Sequence, residues 1–413
     1  MMKLQEGQLQ MEREEKRKIL TLAMLTNFFS NTITNINTNY SGVYAAEKLN
    51  LKPHQLGTAS SISTIATQLT QPIWGYLSDL KGIRKYFTAA GYLAAGLAIA
   101  IIYKLQSYIQ YIIAVSVTWI FWNGAYTCWQ ALIGDVTSRS GRGRFIGALG
   151  FAANLGGMVS SILAGFIIDI YGYGALFNLC IVFAIASAIP TLAIKEEKRR
   201  KIKTENIPLR NVITGKYRLY LAVSMGWWGI MSIAWPLFSI TQVKVFHFTK
   251  TEIGLLALSG SIVSTFTSPI WGRAADKIGR KPLLTISPIF ASIWTFAYAF
   301  SQNYMQVLIL TMIGNIGGTA LMTVSNIYLL DTIIHRERRA TLISIYNILT
   351  GAAEAIGQYI GGQLGSIIGL RETMTIAGIL RLTYTIPILI LPETVKKGRK
   401  INFILQVHRP RHR

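Results

Sequence analysis

The residues Pro72-Ile73-Trp74-Gly75 recur 197 positions later as Pro269-Ile270-Trp271-Gly272. The correspondence extends beyond these residues, at offsets of 197 or 196, in the pairs Asp79 and Asp276, Gly82 and Gly279, Asp135 and Asp331, and Arg142 and Arg338. A repeat with this spacing divides the 413-residue chain almost equally, so the sequence predicts two structurally related halves.

The composition of the chain places both halves in a membrane. Hydrophobic residues make up 51% of the sequence and charged residues only 14%, whereas a soluble domain carries about 25% charged residues. A helix that crosses a bilayer needs about 20 mostly apolar residues. Stretches of this kind occur near 18–42, 56–78, 86–104, 108–131, 145–170, 174–194, 219–243, 252–273, 283–301, 304–330, 340–366 and 373–391. The sequence therefore excludes a soluble enzyme and predicts an all-α polytopic membrane protein with twelve transmembrane helices.

Basic residues predict the orientation of these twelve spans. The 41 Lys and Arg outnumber the 18 Asp and Glu, and most of them fall in the tails, the central linker and the loops after spans 2, 4, 8 and 10. Because Lys and Arg accumulate on the cytoplasmic side, we expect a cell-membrane protein with both termini in the cytoplasm, and no nucleic acid partner is needed to explain the charge. The predicted segments are an N-tail (1–17), a six-helix half (18–194), a basic linker (195–218), a second six-helix half (219–391) and a basic C-tail (392–413).

Each predicted half contains an even number of spans, so both halves cross the membrane in the same direction. Parallel repeats of this kind are typical of two-lobed transporters that bind their substrate between the lobes. We therefore expect a central cavity between two parallel six-helix halves, a small-molecule substrate in it, the lipid bilayer around it, and a monomer.

The loop after span 8 carries a specific motif. It reads Gly272-Arg273-Ala274-Ala275-Asp276-Lys277-Ile278-Gly279-Arg280-Lys281 and resembles the cytoplasmic signature of the major facilitator superfamily. The loop after span 2, residues 75–85, is similar, but Ile83 stands where the family usually has a basic residue, and Arg84 follows it. With the twelve spans and the basic linker, the resemblance covers almost the whole chain.

The resemblance implies a cytoplasmic gate that latches the outward-facing state. Small residues let helices approach closely, and carboxylates pair with basic side chains and helix N-termini. Because Ile83 interrupts the first copy, we expect the second-half cluster to matter more; the alternative is that both loops serve topology alone. The predicted gate residues are Gly75, Asp79, Gly82, Arg84, Asp135, Gly272, Asp276, Gly279, Arg280 and Asp331.

Polar and aromatic residues follow helical spacing in spans 1, 4, 7 and 10. Polar side chains in a bilayer face protein or water rather than lipid, and in the family these four helices surround the cavity. The alternative is that asparagines hold helices together and tryptophans mark the membrane interface. The residues predicted to bind substrate are Asn31, Asn35, Trp122, Asn123, Tyr126, Trp228, Trp235, Asn315 and Asn326. The hydroxyls of spans 2 and 8 are assigned instead to helix packing: Ser60, Ser63, Thr64, Thr67, Ser261, Ser264 and Thr265.

The sequence points to neither a cofactor, nor a metal site, nor a catalytic centre. It contains no glycine-rich phosphate loop, and its five histidines are scattered through loops and tails. Transport is then downhill or coupled to an ion gradient, and we expect a proton gradient. Glu354 in span 11 and Arg381 in span 12 lie at similar depth and are predicted to pair, either for proton coupling or as a permanent structural contact.

The substrate is left open between several classes. Tryptophans and neutral amides suit a sugar or another small organic solute, and they suit an amphipathic drug-like molecule equally well. Pro392-Glu393-Thr394 resembles the end of the last span in sugar porters, but the paired glutamines of their span 7 and the span 4 arginine of many drug antiporters are missing. We predict a secondary transporter of a small organic solute, with a multidrug–proton antiporter as the alternative and a non-transporting receptor of the same fold as a remote third.

Overall fold

The computed structural model describes residues 2–137, 142–196, 215–333 and 339–394, and all regular secondary structure in these ranges is helical. The first half contains α1 (Met2–Ile36), a π-helix (Asn37–Ser41), α2 (Gly42–Glu47), α3 (Pro53–Lys81), α4 (Arg84–Ile102), α5 (Tyr108–Val136) and α6 (Arg142–Ala193). The second half contains α7 (Gly215–Ser232), α8 (Trp235–Lys244), α9 (Lys250–Ile278), α10 (Arg280–Phe300), α11 (Tyr304–Thr332), α12 (Arg339–Ile367), α13 (Leu370–Thr383) and α14 (Thr385–Ile388). Most of the predicted linker and C-tail, and Arg338, lie outside the described residues.

Helix breaks occur where the sequence removes a backbone donor or permits an unusual backbone angle. Helix α6 is interrupted at Gly172, whose φ of 80° and ψ of 172° suit only glycine, so it consists of two helices. Helices α7 and α8 are separated by two residues, and Pro236 in the first turn of α8 has no N–H to continue the helix. The π-helix at Asn37–Ser41 occupies the corresponding position of the first half at the 197-residue offset.

Long apolar helices dominate the chain. In the described ranges, six helical stretches are long and apolar enough to cross a membrane, namely Arg84–Ile102, Phe145–Ala193, Gly215–Lys244, Lys250–Ile278, Arg280–Phe300 and Tyr304–Thr332. The stretch Phe145–Ala193 has 49 residues, about twice the length that one crossing needs. The chain is therefore a multi-pass membrane protein.

The two halves meet along a small number of helices. Helix α3 packs on α12, α6 packs on α9, and α2 packs on α8. We call the end of the bundle that contains the start of α1, Thr394 and the turns at Gly82 and Gly279 the terminal end, and the opposite end the far end.

The two ends of the bundle differ in how their apolar cores are connected. At the far end, one core runs through both halves and includes Ile33, Leu56, Leu237 and Ile253. At the terminal end, each half has a core of its own: that of the first half includes Trp129 and Leu149, and that of the second includes Tyr217, Tyr328 and Leu342. The molecule is therefore closed at the far end, and its halves are separate at the terminal end.

Candidate substrate cavity

A cavity of 870 Å³ lies between the two halves and is lined by residues of both. Its volume falls in the range of about 300–1,000 Å³ that is typical of sites for drug-sized ligands. The π-helix contributes Asn37 and Ser41 to the lining, and the start of α8, just after the break that follows α7, contributes Trp235 and Pro236. Irregular helical segments at corresponding positions of two repeats are typical of a transporter's binding site.

Four of the nine residues predicted to bind substrate line this cavity: Asn123, Trp228, Trp235 and Asn315. The indoles of Trp228 and Trp235 meet edge to face, with ring centroids 6.1 Å apart. Nε1 of Trp228 donates to the hydroxyl of Tyr346 at 3.2 Å, which fixes the orientation of the ring. The second half thus presents a pair of oriented aromatic side chains to the cavity.

The other five are not among the lining residues: Asn31, Asn35, Trp122, Tyr126 and Asn326. Oδ1 of Asn35 accepts a hydrogen bond from Oγ of Ser161 at 3.0 Å, so this amide joins α1 to α6. Trp122 stacks on Tyr126 with centroids 5.3 Å apart and donates from Nε1 to the carbonyl of Ser30 at 3.4 Å. A helical stripe is broader than the cavity, and its margins serve contacts between helices.

The hydroxyls of spans 2 and 8, which were predicted to support helix packing and sliding between the halves rather than binding, lie partly in the cavity lining. Ser60, Ser63, Thr64 and Thr67 of α3 line the cavity, as does Ser264 of α9, whereas Ser261 and Thr265 do not. Sequence reasoning also missed Gln68 and Gln358 in the lining. A signal was present, because positions 60, 64, 67 and 68 repeat the three- and four-residue spacing that identified the other stripes.

Among the described residues, Glu354 of α12 is the only charged one that lines the cavity. Oγ of Ser232 donates to its backbone carbonyl at 2.8 Å, which ties this part of α12 to the end of α7. The side chains of Trp228 and Trp235 line the same cavity as Glu354.

Arg381 does not pair with Glu354, contrary to the sequence prediction. Arg381 is fully buried, and its guanidinium donates to the carbonyls of Met231 and Ala291 and to the hydroxyl of Thr295. No carboxylate among the described residues forms an ion pair with it. Counting residues from the turn between spans 11 and 12 placed Glu354 and Arg381 at equal depth. It did not show towards which neighbouring helix each side chain points. Because α7 ends one residue after Met231, the carbonyl of Met231 lacks a helical partner, and Arg381 donates to it.

The first half has an ion cluster at the terminal end. Arg84 forms ion pairs with both Asp79 and Asp135. The insertion of Ile83 therefore leaves the first-half cluster complete, and the premise that this copy is broken was wrong.

The second half has the matching cluster. Arg280 contacts Asp276 and Asp331, each at 3.1 Å. Each cluster joins helices of its own half, which fits the separation of the halves at this end. Gly82 and Gly279 end the preceding helices with φ of 62° and 114°, in the region that favours glycine, and so permit a tight turn after each helix.

Gly75 and Gly272 do not behave as predicted. A Cβ added at Gly272 would meet nothing within 4 Å, and one added at Gly75 would meet only Thr127, at an ordinary 3.7 Å. Neither residue is required for close helix packing in this state, because the terminal ends of the halves are apart.

The far end is closed by polar contacts between the halves. Oε2 of Glu47 accepts from Nζ of Lys250 and from the hydroxyl of Tyr173, each at 2.6 Å. Asp169 accepts from the backbone N–H of Thr251 at 2.9 Å and so caps the first turn of α9 from the other half. Burial by itself would raise the pKa of Glu47, but the hydrogen bonds from Lys250 and Tyr173 and the positive charge of Lys250 outweigh it, so the pKa is lowered.

Two related helical halves, a cavity between them and duplicated ion clusters at one end describe a two-lobed transporter. The model of the family described as Major Facilitator Superfamily matches residues 20–234 and again residues 219–411. The chain belongs to the major facilitator superfamily. Its relatives are transporters rather than enzymes, and this protein is a secondary transporter of a small organic solute.

Curated relatives within the superfamily share a fifth to a quarter of their residues with this chain. The "Multi-drug resistance efflux pump PmrA" of Streptococcus pneumoniae is 25% identical over 324 residues, which cover 73% of this chain and 78% of the pump. The "Multidrug resistance protein MdtG" of Escherichia coli is 22% identical, covering 78% of this chain and 81% of that protein. The "Staphyloferrin B transporter" of Staphylococcus aureus is 20% identical, covering 82% and 84%.

Solved structures of the superfamily share the fold at lower identity. The nucleoside transporter NupG matches with a TM-score of 0.74 and 10% identity, over 90% of this chain and 98% of that one. A bacterial homologue of the human lysosomal transporter Spinster, in an inward-facing and unoccupied conformation, matches with a TM-score of 0.72 and 12% identity, over 91% and 97%. At this identity the likeness shows the fold alone.

Proposed function

We propose that this protein is a proton-coupled exporter of amphipathic organic cations. The observation that carries the proposal is that Glu354 is the only charged residue among the described residues that line the cavity, a cavity that Trp228 and Trp235 also line. A carboxylate attracts a cation, and indole faces bind cations and apolar rings, with both interactions strengthened where water is partly excluded. This arrangement favours the multidrug antiporter over the sugar or other neutral-solute porter. The efflux pumps among the curated relatives support the same choice.

The helices form twelve spans in this proposal. Two come from α6, and single spans are formed by α1 with the π-helix, by α7 with α8, and by α13 with α14. The basic terminal end faces the cytoplasm, so the conformation described above is inward-facing. The halves 18–194 and 219–391 rock about the cavity, and the clusters around Arg84 and Arg280 latch the terminal end when the far end opens.

Coupling follows from charge at a single carboxylate. Glu354 binds either a proton or the organic cation, because a protonated carboxyl no longer attracts a cation. Competition for one site exchanges one ligand for the other, which is antiport. Asn123 and Asn315 contact the substrate in the cavity, and the exposed Tyr126 and Asn326, nearer the terminal ends of α5 and α11, contact it on its way in.

Proteoliposomes test the proposal with tetraphenylphosphonium as the probe cation. Vesicles with an acidic interior should accumulate the cation, because protons leaving through the protein drive it inward. The Glu354→Gln variant should lose this accumulation while keeping exchange of labelled for unlabelled cation at saturating concentration. The matched control is Glu372→Gln, the same chemical change at an exposed residue outside the cavity, and it should behave as wild type.

Two outcomes would overturn the proposal. Uptake of uridine or glucose without uptake of the cation would establish a neutral-solute porter. Binding of the cation without accumulation or exchange would establish a receptor.

A further inference from the structure

Helices α3 and α12 form a contact between the two halves. The register of this contact places Glu354 of α12 near Gln68 of α3. Oγ1 of Thr64 donates to Oε1 of Gln358 at 3.0 Å. One turn nearer the terminal end, the amide of Gln68 lies so close to Gly351 that a Cβ at Gly351 would collide with it. Glu354 lies on α12 between Gln358 and Gly351, about one turn from each, and its side chain tilts towards the N-terminus of α12 and so towards the level of Gln68.

The side-chain oxygen of Gln68 is a hydrogen-bond acceptor that lacks a donor among the described residues. This atom, Oε1, is buried. Leaving a buried carbonyl oxygen unpaired is costly, so its position needs an explanation. Gln68 and Glu354 both line the central cavity. The O–H of a protonated carboxyl is the donor that fits.

Resting on the proposed proton coupling, we infer that the protonated carboxyl of Glu354 donates a hydrogen bond to Oε1 of Gln68 and so ties α12 to α3. The proton stays on Glu354, and the bond exists only while the proton is there. After ionisation, the carboxylate needs several donors to replace its water, and one amide supplies too few. Ionised Glu354 therefore favours separation of α3 from α12, so that water or a cation can reach it.

No other charged group competes for this role on the elements packed against α12. Residues 53–78 of α3 include one basic or acidic side chain, His54 at the far end, and residues 219–243 include none. On α13, residues 371–372 lie at the far end, and Arg381 donates to backbone carbonyls and a hydroxyl. Gln68 is thus a positioning residue through which proton binding favours the state closed at the far end. A proton-coupled exporter needs this preference, because it returns to the inward-facing state with a proton bound.

Distances between spin labels measure this coupling in the full-length protein in lipid nanodiscs. Labels are attached at Lys81→Cys and Lys277→Cys, exposed positions at the terminal ends of α3 and α9 in the two halves. The native Cys128 and Cys180 are buried, so labelling is directed to the introduced thiols. A long distance reports the state open at the terminal end, and its fraction is recorded from pH 5.5 to 8.5.

In the wild type, acidification should increase the long-distance fraction. The isosteric Gln68→Met should reduce the open-to-closed ratio at low pH by up to about tenfold, the effect of losing one hydrogen bond, and move the midpoint to lower pH. The matched control Gln358→Met, which removes a contact between the halves without a titratable partner, should change the ratio equally at all pH values. If Gln68→Met folds poorly, Gln68→Leu makes the same test.

The outcomes separate this inference from the proposed function. An unchanged midpoint in the Gln68 variants, with pH dependence lost in Glu354→Gln, would overturn the role of Gln68 alone. Full pH dependence in Glu354→Gln would overturn the coupling role of Glu354 and with it this inference.

Discussion

Glu47 of the first half and Lys250 of the second half form an ion pair of 2.6 Å at the far end of the molecule. The side chains are 30% and 14% exposed, so solvent screens them less than a surface pair, and the hydroxyl of Tyr173 donates to the same carboxylate oxygen. The pair belongs to the contacts that close the far end and must break when that end opens.

We therefore expect Lys250→Gln to shift the protein towards the state open at the far end. Spin labels at the terminal end should report a smaller long-distance fraction in this variant than in the wild type. Lys48→Gln is the control, because Lys48 is more exposed and lies 3.9 Å from the same carboxylate without joining the halves. Equal populations in Lys250→Gln and the wild type would show that the pair does not hold the far end closed.

The pH dependence of this pair can be separated from that of Glu354. The pKa of Glu47 is lowered in the folded protein, so the pair's contribution is fully present above the ordinary value of 4.5 and is lost as pH falls through the lowered value. Glu47 therefore stays ionised between pH 5.5 and 8.5. We expect Glu47→Gln to change the populations of the two states while leaving the midpoint of their pH dependence in that range unchanged. A midpoint that moves with this variant would assign the titration to the far end instead of the cavity.

The terminal-end clusters yield a prediction about the latch. Asp276→Asn should remove one ion pair from Arg280, weaken closure of the terminal end and lower turnover, with the protein still inserted in the membrane. Because Arg84 is fully paired in the first half, Asp79→Asn should lower turnover to a similar degree. Cation exchange in proteoliposomes measures turnover, and Lys277→Gln, at the exposed residue next to Asp276, is the control. Wild-type turnover in both aspartate variants would contradict the latch.

The sequence predicted the features that depend on spacing along one helix or on the repeat. Both terminal-end clusters form from the aspartates that the duplication singled out. The sequence did not predict which face of a helix meets the cavity, because that depends on how helices rotate against one another. Arg381 was therefore paired with the wrong partner, and Gln68 was overlooked. The first copy of the motif was wrongly expected to be weaker because Ile83 interrupts it. The long side chain of Arg84 reaches both carboxylates from a position one residue further along the chain.

Arg381 should matter for folding through its contacts rather than through Glu354. Replacing it by Ala leaves a cavity and removes the donors that cap α7, so we expect the free energy of unfolding to fall by about 2 kcal/mol or more. Glu354→Gln should leave thermal stability in detergent near that of the wild type, because no ion pair is lost. A large loss of stability in Glu354→Gln would instead support the structural ion pair between Glu354 and Arg381 that the sequence predicted.

Cysteine accessibility distinguishes the residues that line the cavity from those that hold helices together. Cysteine at Asn123 or Asn315 should react with a water-soluble thiol reagent, and tetraphenylphosphonium should slow the reaction. Cysteine at Asn35 should react more slowly, because this position is bonded to Ser161 of α6 and lies outside the lining. Cysteine at Ile101, an exposed position on α4 outside the cavity, gives the rate for a surface that faces lipid. If the cysteines at 123 and 315 react no faster than the one at 101, or gain no protection from the cation, the cavity is not the binding site.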